Sequence, residues 1–386
     1  MKYLKRIILL VALEIISING FATSVWNQKP NFPGVGRHRG TGIAIGDKGY
    51  VGLGHMNGTG VNIVYSDWWE YDPATSSWTQ KSDYPALTYG NAAFATKTAG
   101  YVGGGVFQDD EFFKFDPITN TWTAIADAPV NVGDNMAFCI GKYGYITTGS
   151  TLYEYNTEDD TWAQKQNPPS NINTWSSACT VQNSAYVKTG SNFYEYKPTS
   201  DSWIVKTSYP GLASSGGVAF SVDNKCYFLL GYSGSLGNVM KEMWEYDPAT
   251  NNWTLQPEFP GTSRRFSSAF TINNKGYVAI GTNGINFSDF WEYNRILNIS
   301  ETNPFYDAIS LYPCPASDYI TFDLTQITNI ESVEILIYSI DGKIIKEINS
   351  ADNKVTLYRN ELSSGQFIYT VKQKNVLLKN GQFILY

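Results

Sequence analysis

Histidine is nearly absent from this chain: His38 and His55 are the only two in 386 residues, and just four cysteines accompany them. Zinc clusters of paired Cys and His are thereby excluded. Charge is also scarce. Asp, Glu, Lys and Arg make up 16% of the chain, where roughly a quarter is usual for soluble proteins. The balance is acidic, 35 against 28, for a net charge of −7. That leaves no cationic footprint for a phosphate backbone, so nucleic acid is not an expected partner. After the first eighteen residues no segment is apolar enough to cross a bilayer as a helix. No Ser/His/Asp order, phosphate loop or metal-ligand spacing appears either, and no cofactor or metal is implied. Aromatics are what the chain has in excess: 27 Tyr, 20 Phe and 11 Trp, 15% of the total. Such a chain buries a large core, and wholesale disorder is excluded.

The start of the chain is set apart. Lys2, Lys5 and Arg6 make a positive stretch, Ile7 to Ile18 is mostly apolar, with Glu14 a departure, and Gly20-Phe21-Ala22 fits a small-x-small cleavage site. Residues 1–22 are expected to be a secretory signal peptide. In an exported chain cysteines can pair. Cys139 and Cys179 are expected on inner strands of adjacent repeats, one residue out of phase, and so on opposite sheet faces. Cys226 is expected on a different strand of a third repeat, and Cys314 in the tail. Buried free thiols are the expectation.

One phrase recurs: aromatic, any residue, aromatic, Asp-Pro, and a Trp five residues further on. It runs Trp69-Glu70-Tyr71-Asp72-Pro73 to Trp78, then Phe113-Lys114-Phe115-Asp116-Pro117 to Trp122. Weaker copies lead to Trp162 and Trp203, a strong one to Trp253, and a sixth begins at Trp291-Glu292-Tyr293-Asn294 with no Trp after it. The missing Trp is Trp26, followed by Phe32-Pro33 as Trp78 is followed by Tyr84-Pro85. The first strand of the mature chain is therefore expected to complete the last repeat, which is how a ring of sheets closes without an open edge. Alternation with period two marks strands, Asp-Pro marks a turn, and Gly54, Gly105, Gly149, Gly190, Gly231 and Gly281 end the inner strands. Four short strands in each of six repeats imply an all-β, six-bladed β-propeller over residues 23–296.

In these residues the chain resembles the kelch family of propellers. The family's double glycine survives at Gly103-Gly104-Gly105 and is reduced to one glycine elsewhere. Residues 297–310 read as a linker. From Leu311 a second pattern begins, with Tyr312-Pro313-Cys314-Pro315-Ala316-Ser317-Asp318, strand signals at 319–324 and 333–340, an Asp341-Gly342 hairpin turn, and Asn380-Gly381-Gln382-Phe383-Ile384 at the end. Residues 311–386 are expected to form a small C-terminal β-sandwich and resemble the C-terminal sorting domain of type IX secretion cargo in Bacteroidetes. The resemblance implies contact with the type IX secretion machinery, passage through the periplasm and across the outer membrane, and release or attachment at the cell surface.

A ligand is expected where loops converge at one mouth of the ring. The loop between second and third strands is long in the first repeat (Gly54 to Asp67) and the fifth (Gly231 to Lys241), and nearly absent in the third and fourth. Arg37 and Arg264 each stand thirteen residues before the repeat tyrosine, Tyr50 or Tyr277. With Arg39 and Arg265 they are expected to form a basic patch suited to an acidic sugar or acidic peptide. His55, Tyr89, Asn91, Asp134, Asn135 and Trp175 complete the candidate site, with Trp175 as a stacking surface for a sugar ring. A glycan or protein ligand is the expected partner, bound without catalysis. Two enzymes of the resembling family are alternatives. A sialic acid mutarotase-like role suits the arginines, although no acid/base pair carries across. A galactose oxidase-like role would need both His38 and His55 on copper and a Tyr–Cys bond that no motif here supplies. Asp109-Asp110-Glu111, the densest acidic run, reads as a solvated turn.

Overall fold

The computed structural model describes residues 24–234, 238–295, 308–327, 332–339, 344–374 and 376–385. The expected signal peptide, most of the expected linker and the Asp341-Gly342 turn lie outside them. The chain divides into two compact units, one spanning Ser24–Arg295.

That unit is all β. Six four-stranded antiparallel sheets follow one another, the first built from Thr41–Ile45, Lys48–Gly52, Trp68–Asp72 and Ser77–Lys81. The sixth takes Ser268–Ile272, Lys275–Ala279 and Phe290–Arg295 from one end of the unit and Ser24–Lys29 from the other, paired Ser24 to Arg295 through Lys29 to Phe290. First strands pack sheet against sheet in a closed circuit. Thr41–Ile45 meets Ala92–Ala95, then come Ala137–Ile140, Ser177–Val181, Val218–Val222 and Ser268–Ile272, which returns to Thr41–Ile45.

The repeated phrase now has a physical reason. Its second aromatic and its Trp face each other across a hairpin, as in Tyr71 with Trp78 and Tyr246 with Trp253. Their rings lie 5.1 and 4.9 Å apart, close enough to add roughly 1 kcal/mol to simple burial. The Asp carboxylate caps the turn between them, accepting the Ala74, Ile118 or Ala249 N–H at 2.8–2.9 Å. Each Trp also ties its sheet to the preceding one. Trp78, Trp122, Trp162, Trp203 and Trp253 donate their indole N–H to the carbonyls of Pro30, Ser82, Ala126, Gln166 and Thr207 at 2.8–3.0 Å. Every acceptor stands four residues past the previous Trp. The seam differs: Pro257 holds the acceptor position and the Trp26 indole N–H has no partner. There the six-residue ladder of Ser24–Lys29 carries the closure.

The thiol expectation is corrected. Cys179 and Cys226 form a disulfide with Cα atoms 5.8 Å apart, and Cys139 and Cys314 are free. Strand phase decides faces within one sheet. Cys179 lies on the first strand of the fourth sheet and Cys226 on the second strand of the fifth. These sheets pack face to face, so two side chains on different strands meet between them.

In the other unit, Ser310–Tyr312, Tyr319–Asp323 and Lys354–Tyr358 form one sheet, and Val333–Ser339, Ile344–Ser350, Gly365–Gln373 and Val376–Leu385 a second. Ile320, Phe322 and Leu357 of the first share one apolar core with Ile335, Tyr369 and Phe383 of the second.

Candidate functional site

Each first strand of the six-sheet unit is entered through one residue with left-handed backbone. Arg39, Gly90, Asp134, Trp175, Gly216 and Phe266 have φ between 53° and 71°, and each stands eleven residues before its repeat tyrosine. Each N–H donates to the carbonyl of its counterpart in the preceding sheet. The bonds run Gly90 to Arg39, Asp134 to Gly90, Trp175 to Asp134, Gly216 to Trp175, Phe266 to Gly216 and Arg39 to Phe266, all at 2.7–3.0 Å. The six amides close a ring on themselves. Four of the six are not glycine, and left-handed backbone costs each of those about 1–2 kcal/mol.

Two glycines sit opposite each other in this ring, second and fifth of six. Above Gly90 the Arg39 guanidinium reaches across to the Asp134 carboxylate, with Nε donating to Oδ1 at 2.7 Å and Nη2 paired with Oδ2. A Cβ on Gly90 would press on both groups. Arg39 also lies 4.6 Å over the Tyr89 ring. Tyr89 stacks in turn on His55 at 3.8 Å with the planes 3° apart, and His55 lies 4.3 Å from His38. Burial and the neighbouring His55 hold His38 down to about 4, and burial lowers His55 in the same direction. Both imidazoles are neutral at pH 7.

Above Gly216 the cover is aromatic. Trp175 and Phe266 are 5.2 Å apart, Tyr232 and Phe266 5.8 Å, and Arg265 lies over both Tyr232 and Phe266. A Cβ on Gly216 would come within 2.7 Å of the Phe266 ring. Between the ionic side and the aromatic side is a cavity of about 130 Å³, lined by Arg39, Asn91, Asp134, Asn135, Trp175 and Phe266 among others. A second cavity of about 400 Å³, lined by Gly149, Asn171, Asn173, Ser215 and Tyr232, also has Trp175 in its wall. Its Gly149 belongs to Gly149-Ser150, the two-residue connection between second and third strands of the third sheet; the fourth sheet has an equally short one, Gly190-Ser191. In the first sheet that connection carries a hairpin, His55–Gly58 with Val61–Val64.

Five expected site residues therefore line one cavity: Arg39, Asn91, Asp134, Asn135 and Trp175. Tyr89 and His55 stand behind Arg39, and Arg265 covers the aromatic side. Asn91 donates to the Gly104 carbonyl at 2.6 Å and Asn135 accepts the Gly133 N–H at 2.9 Å. Asn91 Oδ1, Trp175 Nε1 and His55 Nε2 are buried without a hydrogen-bond partner.

The basic patch expected of Arg37 and Arg264 is not formed. They are 1% and 0% exposed. Arg37 forks onto Asp67, donates to the Val35 and Leu53 carbonyls and lies 3.8 Å over the Tyr65 ring. Arg264 repeats this with Asp289, the Thr262 and Ile280 carbonyls and the Phe287 ring at 4.2 Å. Each carboxylate also accepts an indole N–H, from Trp69 or Trp291. Asp two residues before Trp was the signal in the sequence for this brace. The residues missed were Phe266, Tyr232, Gly90 and Gly216. Glycine at the same repeat position twice was the available sign.

The two imidazoles do not fit a copper centre. Their Nδ1 atoms bond Asn286 and Asn62. Among the described residues no third His, Cys, Asp or Glu joins them, and the free Cys139 Sγ bonds Gly141 at the other end of its strand.

Residues 310–384 match a family model described as a secretion system C-terminal sorting domain. No curated protein matches the chain in sequence. A solved structure titled "Structure of YjhT" is similar, with a TM-score of 0.58 and 15% identity over 68% of this chain and 95% of that one. At that identity the likeness is one of fold. No helix among the described residues is long and apolar enough to cross a membrane. The chain thus joins a propeller-like all-β unit to a type IX sorting domain, which marks it as a secreted or cell-surface protein of that system.

Proposed function

We propose that residues 24–295 form a six-bladed kelch-type β-propeller that binds a glycan or protein ligand in the cup above the ring of six amides. The C-terminal unit is a β-sandwich that delivers the propeller through the periplasm and across the outer membrane, once the signal peptide of residues 1–22 is removed. One observation carries the binding reading. Non-glycine residues with left-handed backbone, from four blades, hold an ionic pair and an aromatic wall around one cavity, with the Arg39 guanidinium 5.9 Å from the centre of the Trp175 ring. Polar groups placed around an apolar surface are what a small-ligand site requires. Binding is favoured over catalysis because Asp134, the one carboxylate lining this cavity, is engaged by Arg39. A second free acid or base does not line it, and exchange of sugar anomers needs a proton donor and an acceptor.

The test is a screen of the purified protein against arrays of glycans and of surface proteins, with Trp175→Ala and Arg39→Ala alongside. The expected result is a ligand that both variants lose at least tenfold while their melting curves stay cooperative. A ligand held equally well by both variants places binding elsewhere and ends this reading, as does a folded protein with no ligand on either array.

A further inference from the structure

We propose that the ligand is an uncharged oligosaccharide, with one pyranose ring in the central cup and the next beyond Trp175. This rests on the reading that the cup is a binding site, and narrows it against the acidic ligand that the arginine count suggests.

Charge is the first argument. Arg37 and Arg264 are neutralised by Asp67 and Asp289 below the surface. Arg265 lines neither cavity and lies over aromatic rings. Arg39 is the one cation in the cup wall, and Asp134 already holds its Nε and Nη2. A ligand carboxylate would either accept from the one remaining donor, Nη1, beside the like-charged Asp134 carboxylate, or displace Asp134 and leave it half-buried without its counter-ion, and both are unfavourable,. It would also approach a protein of net charge −7,.

A sugar hydroxyl meets none of these obstacles. The Arg39–Asp134 pair leaves Nη1 as a donor and carboxylate lone pairs as acceptors, side by side,. Neighbouring hydroxyls, each both donor and acceptor, match that arrangement while the pair stays intact. The indole of Trp175, which the Arg39 guanidinium approaches to 5.9 Å, suits the apolar face of the same ring,. Trp175 Nε1 and Asn91 Oδ1 are buried without partners beside the cavity, as expected where a ligand or ordered water completes the bonding. About 130 Å³ is the scale of one ring, and the 400 Å³ cavity across Trp175 has the Asn171, Asn173 and Ser215 side of the wall for another.

The experiment is calorimetric titration of the full chain with neutral disaccharides and their uronic acid-terminated counterparts, in 50 and 500 mM NaCl, for wild type, Asp134→Asn, Asp134→Glu and Trp175→Ala. Circular dichroism melts confirm that each variant is folded. Neutral sugars are expected to bind with affinity within about twofold at the two salt concentrations. Asp134→Asn should weaken them at least fivefold, Asp134→Glu less, and Trp175→Ala at least tenfold. Binding confined to acidic sugars, weakened by salt and tightened in Asp134→Asn, would overturn the inference while leaving the cup as a binding site. Neutral and acidic sugars both failing, with a protein ligand lost in Trp175→Ala, would likewise overturn it and leave the cup standing. Failure of every ligand would remove both.

Discussion

Arg264 owes its place to four acceptors and two rings, Phe259 and Phe287. With the guanidinium fully covered, its charge is balanced by Asp289 and its remaining N–H groups by the Thr262 and Ile280 carbonyls. Removing it leaves Asp289 without a counter-ion, and breaking such a buried pair costs about 3–5 kcal/mol. Asp289 is 21% exposed, so the lower end applies. Arg264→Ala is expected to lower unfolding free energy by about 3 kcal/mol in urea titrations, with little change in ligand affinity in any variant that folds. Loss of affinity with unchanged stability would return Arg264 to the site. His38 gives a second prediction, about pH. In the unfolded chain it protonates near 6.5, in the folded protein only near 4. Between those values the unfolded chain binds the extra proton. Stability is therefore full above pH 6.5, falls as pH drops towards 4, and levels off below. The loss is on the order of 3 kcal/mol, and the lowered His55 acts in the same direction. Urea midpoints at pH 7, 5.5 and 4 for wild type and His38→Gln check it, since the variant should lose the His38 part of the slope and keep only what His55 contributes.

Among the elements, the disulfide joins the first strand of the fourth sheet to the second strand of the fifth across 47 residues. Crosslinking a loop of that length restricts the unfolded chain and is worth about 2–4 kcal/mol. The Cys179→Ala/Cys226→Ala variant is expected to lose about that much and to unfold at lower temperature by several degrees. A variant as stable as wild type would show that the bond does not stabilise the fold. The bond was not legible in the sequence because phase along a strand orders faces within a sheet and says nothing of which sheet lies opposite. The strands themselves were legible, since an aromatic and a Trp that face each other across a hairpin must recur at fixed spacing. Arg37 and Arg264 show the same limit from another side. Their common position thirteen residues before a tyrosine was readable, but depth below the surface is set by Asp67 and Asp289 from distant turns. The left-handed ring was readable only in its two glycines. Nothing in the identity of Trp175 or Phe266 announces φ near 60°; the hydrogen bonds of the neighbouring sheets impose it.

The whole six-sheet unit is held by repetition with one exception. Five junctions carry a Trp-to-carbonyl bond, and the sixth, where Trp26 has no partner, relies on pairing of the unit's first strand with its last. The unit is also irregular on one face. Connections of very different length sit on a regular frame, so one side of the rim carries a hairpin while on another the two-residue Gly149-Ser150 connection contributes Gly149 to the second cavity. The sequence showed that asymmetry in its spacings, though not which cavities result.

Closure by the chain's two far-apart segments makes completeness a condition of delivery. A polypeptide broken off before residue 290 has no strand to receive Ser24–Lys29, and one broken off before residue 310 lacks its address label. The label comes after every part of the ring has been made. The export system therefore reads it only on molecules that already hold all the strands needed to close.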